Sequence, residues 1–367
     1  MKKANRVKAI VSTLLSAFMM CVLAVPYASA VHEVELIEAV RLGYTNTVRG
    51  WIRLGCVDVN TKDRLGCTPL HWAVVIGNLD MVNELLSSPF VDVNAQDNHG
   101  KTPLHDVASR GNIPVVKALI RHRYIDFNVK DEDGFTPLDS AAWGGHPETE
   151  KVLRDAIEQQ YRLFEAAKKG TLEDVQSLYR QGAHINAKDE YGNNLLHLAI
   201  LGSNPRTVKG LMIKSLMGMK NKNGDTPLHL AVVIGDLDTV KGLVRKSLIE
   251  MVNAKNHDGL TPLHYAVARG DPEILEALIR DYYVDVNVKN NLGYTPLHLA
   301  VMFNRPQIVE LLVHHPRIEL NANHDGLTPL RLAVIKGHPE IAKVLQDAID
   351  KKAAKEAEEP AAKRLRQ

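Results

Sequence analysis

The chain has 367 residues, of which 24% are charged and 5% aromatic, with 24 glycines, 17 prolines and 3 cysteines. These counts exclude a collagen-like chain, a polytopic membrane protein and a disulfide-dense scaffold, and the length suits two or three units of about 150 residues. Lys and Arg number 45 against 43 Asp and Glu, so the charge gives no reason to expect nucleic acid as a partner.

The amino terminus has the three parts of a secretory signal. Four basic residues within 2–8 precede an apolar run at 9–25, and the small-residue triplet Ala28-Ser29-Ala30 follows. This order predicts cleavage after Ala30 and resembles bacterial export signals. The alternative is an uncleaved membrane anchor, but the run is shorter than the ~20 residues that usually span a bilayer. We therefore expect a signal peptide at 1–30 and an exported mature chain, periplasmic or secreted, with no membrane attachment after cleavage.

The rest of the chain is dominated by one recurring motif, Thr-Pro-Leu-His. Complete copies begin at Thr68, Thr102, Thr226, Thr261 and Thr295, and degenerate copies begin at Thr136, Asn194 and Thr328. The copies recur about every 33 residues, except that the interval between Thr136 and Asn194 is much longer. Self-similarity at such a period is the signature of a tandem repeat array.

One copy of the motif indicates how a unit folds. Gly100 supplies the backbone freedom of a tight turn, Thr102 can cap a helix with its hydroxyl, and Pro103 suits the first helical position. The helix should end near Gly111. A second helix is predicted to start around Ile113-Pro114, because Val115, Val116, Leu119 and Ile120 lie on one face. Each unit is therefore predicted to be a turn followed by two antiparallel helices.

The motif, its spacing and the helix pair resemble the ankyrin repeat family, whose unit of about 33 residues carries T-P-L-H-x-A. The resemblance extends from about Glu35 to Ile349. It implies an all-α repeat solenoid of ankyrin repeats, each a helix-turn-helix with a β-hairpin turn. About ten such units are expected, in two blocks.

The long interval between Thr136 and Asn194 indicates the two blocks. It contains a helix pair without the Thr-Pro start, over 163–189, and a similar unit stands at 35–63. Both resemble amino-terminal capping repeats, which present a polar face to water at the end of an array. The segment 68–82 differs from the segment 226–240 only at Trp72, Asn78 and Met81, which indicates an internal duplication. The predicted divisions are block 1 at 31–157 with about four repeats, block 2 at 158–350 with about six, and a charged tail at 351–367.

The junction between the blocks has a helical pattern. Neither Gly nor Pro occurs between Pro147 and Gly170, so nothing there forces a break. We expect one connecting helix of roughly 35 Å, at ~1.5 Å per residue. The alternative is a short turn near Glu158-Gln159-Gln160. The sequence leaves open whether the blocks stack continuously and whether Cys56 and Cys67 form a disulfide.

The sequence offers little catalytic chemistry. It has no P-loop, GxSxG, GxGxxG or CxxC pair, and the repeats leave no stretch of about 100 residues for a catalytic domain. The motif histidines recur once per repeat, about 10 Å apart, whereas the ligands of one metal lie ~2.1 Å from it. We therefore expect no enzyme, no cofactor and no metal. The resemblance implies that these imidazoles bond their own or neighbouring turns. It gives a structural role to the motif residues Thr68, His71, Thr102, His105, Thr226, His229, Thr261, His264, Thr295 and His298.

The resemblance assigns partner binding to the ends of the first helices and to the turns, on the concave face. The positions at the helix ends, here called the helix-end row, are Val75, Ile76, Arg110, Trp143, Leu201, Val233, Ile234, Arg269, Met302 and Phe303; Tyr191 and Tyr294 come from the turns. Most of the row is apolar, which is typical of a groove for a segment of another protein. The alternative is that these side chains pack on the neighbouring repeat.

Together these features predict an exported protein–protein interaction scaffold. We expect a monomer that binds a partner polypeptide and neither nucleic acid nor membrane. An alternative function is that of a secreted effector or an enzyme inhibitor acting on a host or envelope protein. The sequence does not identify the partner.

Overall fold

The computed structural model describes residues 29–247, 249–322 and 324–364, with side chains between residues 35 and 355 of those ranges. The predicted signal peptide lies outside the described residues up to position 28, and so do the last three residues of the charged tail. Within the described ranges the chain forms α-helices joined by turns, and no helix there has the length and apolar composition that crossing a bilayer requires.

Most helices are short and occur in antiparallel pairs, which confirms the expected helix-turn-helix repeat. They are α1 (Ser29–Arg41), α2 (Thr45–Leu54), α3 (Pro69–Ile76), α4 (Leu79–Leu86), α5 (Pro103–Ala108), α6 (Ile113–Ile120), α7 (Pro137–Trp143), α8 (Pro147–Lys169), α9 (Leu172–Arg180), α10 (Leu195–Leu201), α11 (Pro205–Leu211), α12 (Lys214–Met217), α13 (Pro227–Ile234), α14 (Leu237–Lys246), α15 (Ile249–Val252), α16 (Pro262–Arg269), α17 (Pro272–Ile279), α18 (Pro296–Met302), α19 (Pro306–Val313), α20 (Pro329–Lys336) and α21 (Pro339–Arg364).

The third repeat shows why the motif begins a helix. Thr102 caps α5, its N–H donates to Nδ1 of His105 at 3.1 Å, and Pro103 occupies the first helical position, where a missing N–H costs nothing. Gly111 then adopts φ +72°, which favours glycine, and the chain reverses direction. Asn112 caps α6 by accepting from the Val115 N–H. Local capping chemistry therefore produces the helix pair.

The turns between repeats are tight loops rather than strands. In the third repeat the Asp97 N–H donates to the Lys101 carbonyl and closes the turn, while the Asn98 N–H donates to Leu65 of the preceding turn. The Asn98 side chain also donates to the Arg64 carbonyl, so these two turns are joined by one backbone and one side-chain hydrogen bond of Asn98. Among the described residues the structure has one isolated antiparallel bridge, His324 with Leu327, and no named strand, so the hairpins lack a ladder.

The motif leucine of each repeat points into the core. Six are buried: Leu70, Leu104, Leu196, Leu228, Leu263 and Leu297. Leu138 and Leu330, in the degenerate copies, are only half-buried. These two copies precede the long helices α8 and α21, and no turn of the regular kind directly follows either helix pair. The last repeat of a block has no regular repeat directly after it to bury its motif leucine, so partial exposure of these leucines is expected.

The chain divides into two compact units. Unit 1 comprises the residues up to Tyr161 together with 182–187, and unit 2 comprises 162–181 and everything from Lys188 onward. Helix α8 runs without interruption for 23 residues and contributes to both units. The connecting helix is therefore confirmed, and a turn near residue 158 is wrong. The helix persists because no glycine or proline interrupts its hydrogen bonds.

Cys56 and Cys67 do not form a disulfide with each other. The Cys56 thiol donates to the Trp51 carbonyl oxygen at 3.6 Å. At the other end of the chain, α21 extends through much of the predicted charged tail, from Pro339 to Arg364. The tail thus continues the last helix of the array.

Candidate functional site

The motif histidines link each repeat to the next. His71 Nδ1 lies 2.8 Å from Thr68 Oγ1 and accepts from the Thr68 N–H, and its Nε2 lies 3.0 Å from the Lys101 carbonyl oxygen. A carbonyl can only accept, so Nε2 carries the proton. The same arrangement recurs at the other motif histidines: His105 with Phe135, His197 with Asp225, His229 with Leu260, His264 with Tyr294 and His298 with Leu327.

Burial keeps these imidazoles neutral. It lowers the pKa of all six motif histidines below the usual 6.5, and it lowers the pKa of His197 and of His264 to about 4. Protonation would remove the Nδ1 lone pair that accepts from the threonine or asparagine N–H. The histidines are therefore fully engaged in the fold and offer no free base for catalysis.

The degenerate copies show where this link is not needed. Asp139 replaces the histidine in the fourth repeat, and its Oδ2 accepts from the N–H and the hydroxyl of Thr136, which lowers the pKa of Asp139. Arg331 stands at the same place in the last repeat. Neither copy is directly followed by a regular turn whose carbonyl could accept a proton from Nε2. Among the copies of the motif, a histidine stands where such a carbonyl follows, as at His71, His105 and His197.

In unit 1 the helix-end row is largely open to solvent. Trp143, at the end of α7, is 82% exposed, and Ile76 at the end of α3 is 47% exposed. Arg110 is also exposed, and Val75 is half-buried. Trp143 and Ile76 thus present large apolar side chains to solvent at the ends of first helices in unit 1.

In unit 2 the row mixes exposed and half-buried side chains. Leu201, Val233 and Phe303 are exposed by 44%, 45% and 48%. Ile234 and Met302 are half-buried. The row in unit 2 is thus a partly exposed apolar strip.

Arg269 in unit 2 has a second role within the array. Its Nη1 donates to the Val233 carbonyl of the preceding repeat at 2.7 Å, and its guanidinium covers Gly235, where a Cβ would collide with it. The sequence analysis missed two residues that act alike. His146 Nε2 lies 3.0 Å from the Ser109 carbonyl, and Arg305 donates to the Ala268 carbonyl at 3.4 Å. The signal for both was a glycine ending a first helix one repeat earlier.

The two turn tyrosines differ in their surroundings. Tyr191 is 65% exposed at the tip of its turn. Tyr294 is half-buried, with its ring edge-on to His324 at a centroid distance of 4.6 Å. A partner could contact the whole face of Tyr191 but only part of Tyr294.

Two acidic side chains of unit 1, Asp63 and Asp106, are half-buried. Trp72 Nε1 donates to Asp63 at 2.9 Å. Burial, reinforced by Asp97, raises the pKa of Asp106 to about 6, and burial together with nearby carboxylates raises the pKa of the Cys67 thiol to about 12. Cys67 is therefore a thiol and a poor nucleophile at neutral pH. Nowhere between residues 35 and 355, in the described part, do three or more His, Cys, Asp or Glu side chains gather as metal ligands would.

Comparison with known proteins matches this architecture. A family model of three ankyrin repeats matches the chain at 36–131, 89–162, 163–247, 207–290, 245–324 and 263–355. An ankyrin repeat domain-containing protein, SAT10 of Stachybotrys chartarum, is 41% identical over 66 residues, which are 18% of this chain and 3% of that relative. The matched segments of the family model run through nearly the whole array, and the chain belongs to the ankyrin repeat family.

Proposed function

We propose that the protein is an exported scaffold that binds a partner polypeptide through the helix-end row and catalyses no reaction. Ankyrin repeats are protein–protein interaction scaffolds, and repeat arrays use the surface along their stacked units for binding. The signal-like amino terminus supports export to the periplasm or beyond, and a monomer suffices because each array presents its row without a second copy.

The observation that carries the proposal is the exposure of apolar side chains on the first helices. Trp143 in unit 1 and Val233 and Phe303 in unit 2 present large apolar surface at equivalent ends of their helices. Tryptophan and phenylalanine in such positions are typical anchors of interfaces, where they fill pockets of the partner. The motif histidines support the same view, because their hydrogen bonds are used within the fold. The exposed apolar side chains of the row remain free to contact a partner.

The test is capture of a partner by variants of the row. Val233→Asp with Phe303→Asp should reduce capture from extracts of the producing cell by roughly tenfold or more, because burying a carboxylate in an apolar interface is costly. The matched control is Leu54→Asp, an exposed apolar residue at the end of α2 and outside the row. Captured proteins are identified by mass spectrometry, and the same cells are fractionated to test export.

Two outcomes contradict the proposal. Equal capture by the row variant and the control would exclude the row as the binding surface. A lower melting temperature of the row variant than of the control would assign Val233 and Phe303 to the core instead.

A further inference from the structure

A second surface lies on the other helix layer of unit 1. A groove of about 380 Å³ opens between α4 and α6, the second helices of neighbouring repeats. Its apolar lining includes Leu79, Leu86 and Ala118, which also pack on the core beneath. We call this cavity the outer groove. It is separate from the helix-end row, whose residues belong to the first helices.

The rim of the outer groove is cationic. Lys117 and Arg121 are exposed, and His122 is half-buried. Among the ion pairs of the described residues, none joins a carboxylate to Lys117 or to Arg121. Burial lowers the pKa of His122, and the positive charge of Arg123 lowers it further. The positive charge of the rim therefore comes from Lys117 and Arg121, and His122 does not add to it.

The fold does not require this charge. Glu276 in α17 occupies the same position relative to its motif threonine, Thr261, as Lys117 in α6 does relative to Thr102. In α17 the glutamate pairs with Arg280 at 2.7 Å, so the arginine equivalent to Arg121 is neutralised there. The helix dipole favours a cation in the last turn, yet α4, α17 and α19 have the same length as α6 and no basic residue in their last turn.

The loops that follow α4 and α6 add exposed aromatic side chains. Phe90 is 79% exposed, and Tyr124 is 45% exposed with the Arg123 guanidinium 4.8 Å above its ring. Aromatic residues and arginine are enriched where proteins bind other proteins. The Tyr124 ring lies 5.9 Å from the ring of His122 in the groove lining, so aromatic surface adjoins the rim there.

We propose that the outer groove binds a short acidic peptide segment of a partner protein. A large aliphatic side chain of that segment fills the space over Leu79, Leu86 and Ala118, and its carboxylates pair with Lys117 and Arg121. Charge complementarity selects an acidic partner. The apolar floor selects a peptide over a membrane or a nucleic acid, because a flat lipid surface or a phosphate backbone cannot fill a recessed apolar floor between two helices.

The test measures binding of a defined probe to the full chain by fluorescence anisotropy. The probe is a fluorescein-labelled synthetic peptide with two leucines one helical turn apart and flanking glutamates. Lys117→Glu with Arg121→Glu should weaken binding about tenfold, as loss and reversal of two charge pairs implies. Added salt should weaken binding to the wild-type chain, because the pairs are exposed.

The chain offers a matched control. Lys241 and Arg245 occupy the same positions relative to Thr226 as Lys117 and Arg121 occupy relative to Thr102. Lys241→Glu with Arg245→Glu therefore makes the same charge change at the same repeat positions in unit 2, and affinity should stay at the wild-type value. Lys117→Glu alone reproduces the glutamate–arginine pair of α17, so it should fold normally and still weaken binding severalfold.

Four results would overturn the proposal. The first is that the wild-type chain does not bind the peptide at about 1 mM, and the second is that the two double variants weaken binding equally. The third is that a probe with alanines in place of the leucines binds equally well. The fourth is that the chain binds phosphatidylserine vesicles but not the peptide, and that Lys117→Glu abolishes the vesicle binding. The last would assign the rim to a lipid surface. Circular dichroism of every variant verifies that each is folded.

Discussion

At the scale of single residues, hydrogen bonds between neighbouring repeats determine which side chains are committed to the fold. A motif histidine satisfies the cap of its own helix and a carbonyl of the next turn at once, so it couples local structure to stacking. His264, for example, is almost fully buried, accepts at Nδ1 from the Thr261 N–H and reaches the Tyr294 carbonyl with Nε2. A side chain whose two ring nitrogens both make hydrogen bonds within the fold is unavailable to a ligand.

This coupling makes stability depend on pH. The pKa of His264 is about 4 in the folded protein and about 6.5 in the unfolded chain, so its contribution is complete above pH 6.5 and is lost as the pH falls toward 4. Between pH 7.5 and pH 4.5 that loss should be about 2 kcal/mol for this residue. His264→Gln keeps an acceptor for the cap and cannot titrate.

The measurement is urea unfolding of both proteins at pH 7.5 and pH 4.5. The glutamine variant should be less stable than the wild type at pH 7.5, because it loses the bond to the next turn, and should lose less stability on acidification. Parallel pH dependences in the two proteins would refute a neutral, buried His264.

At the scale of elements, glycines determine how closely helices approach. Gly202 ends α10, and a Cβ there would collide with the Lys168 carbonyl of α8. Gly50 lies within α2, and a Cβ there would meet nothing within 4 Å. The two glycines therefore differ only in their surroundings: backbone of a neighbouring repeat packs directly against Gly202, whereas the space beside Gly50 is open.

Alanine should therefore have opposite effects at these positions. Gly202→Ala should destabilise the protein by about 2 kcal/mol, because backbone must move to admit the methyl group. Gly50→Ala should stabilise it by up to about 1 kcal/mol through helix propensity. Chemical unfolding of the two variants measures both effects, and a loss of stability in both would show that α2 is as tightly packed as α10.

At the scale of the whole molecule, α8 is the element shared by the two units. Its first part is the second helix of the fourth repeat, and its last part is the first helix of the fifth. In repeat proteins, stability is approximately a sum of unit stabilities and nearest-neighbour terms. An uninterrupted helix adds a direct covalent and hydrogen-bonded link to those terms.

Breaking that helix should separate the unfolding of the units. Glu158 is exposed in the middle of α8, and Glu158→Pro removes one backbone hydrogen bond and crowds the preceding turn, at a cost of about 3 kcal/mol. We expect two resolved transitions in urea for the proline variant, whereas Glu158→Ala should unfold like the wild type. A single transition in the proline variant would mean that α8 does not couple the units.

The sequence by itself determined the repeat, its helix pairs and the connecting helix, and its resemblance to ankyrin repeats implied the structural use of the histidines. Capping, glycine and proline rules act within a few residues, so Thr102, Pro103 and Gly111 suffice to predict a helix pair. Only the tertiary structure decided which side chains of the helix-end row are exposed and that Arg269 also bonds to the preceding repeat. It also revealed the outer groove between α4 and α6. The exposure of a side chain and the shape of a groove depend on residues one repeat away. How close those residues lie is set by the stacking of the repeats, which a local sequence pattern does not predict.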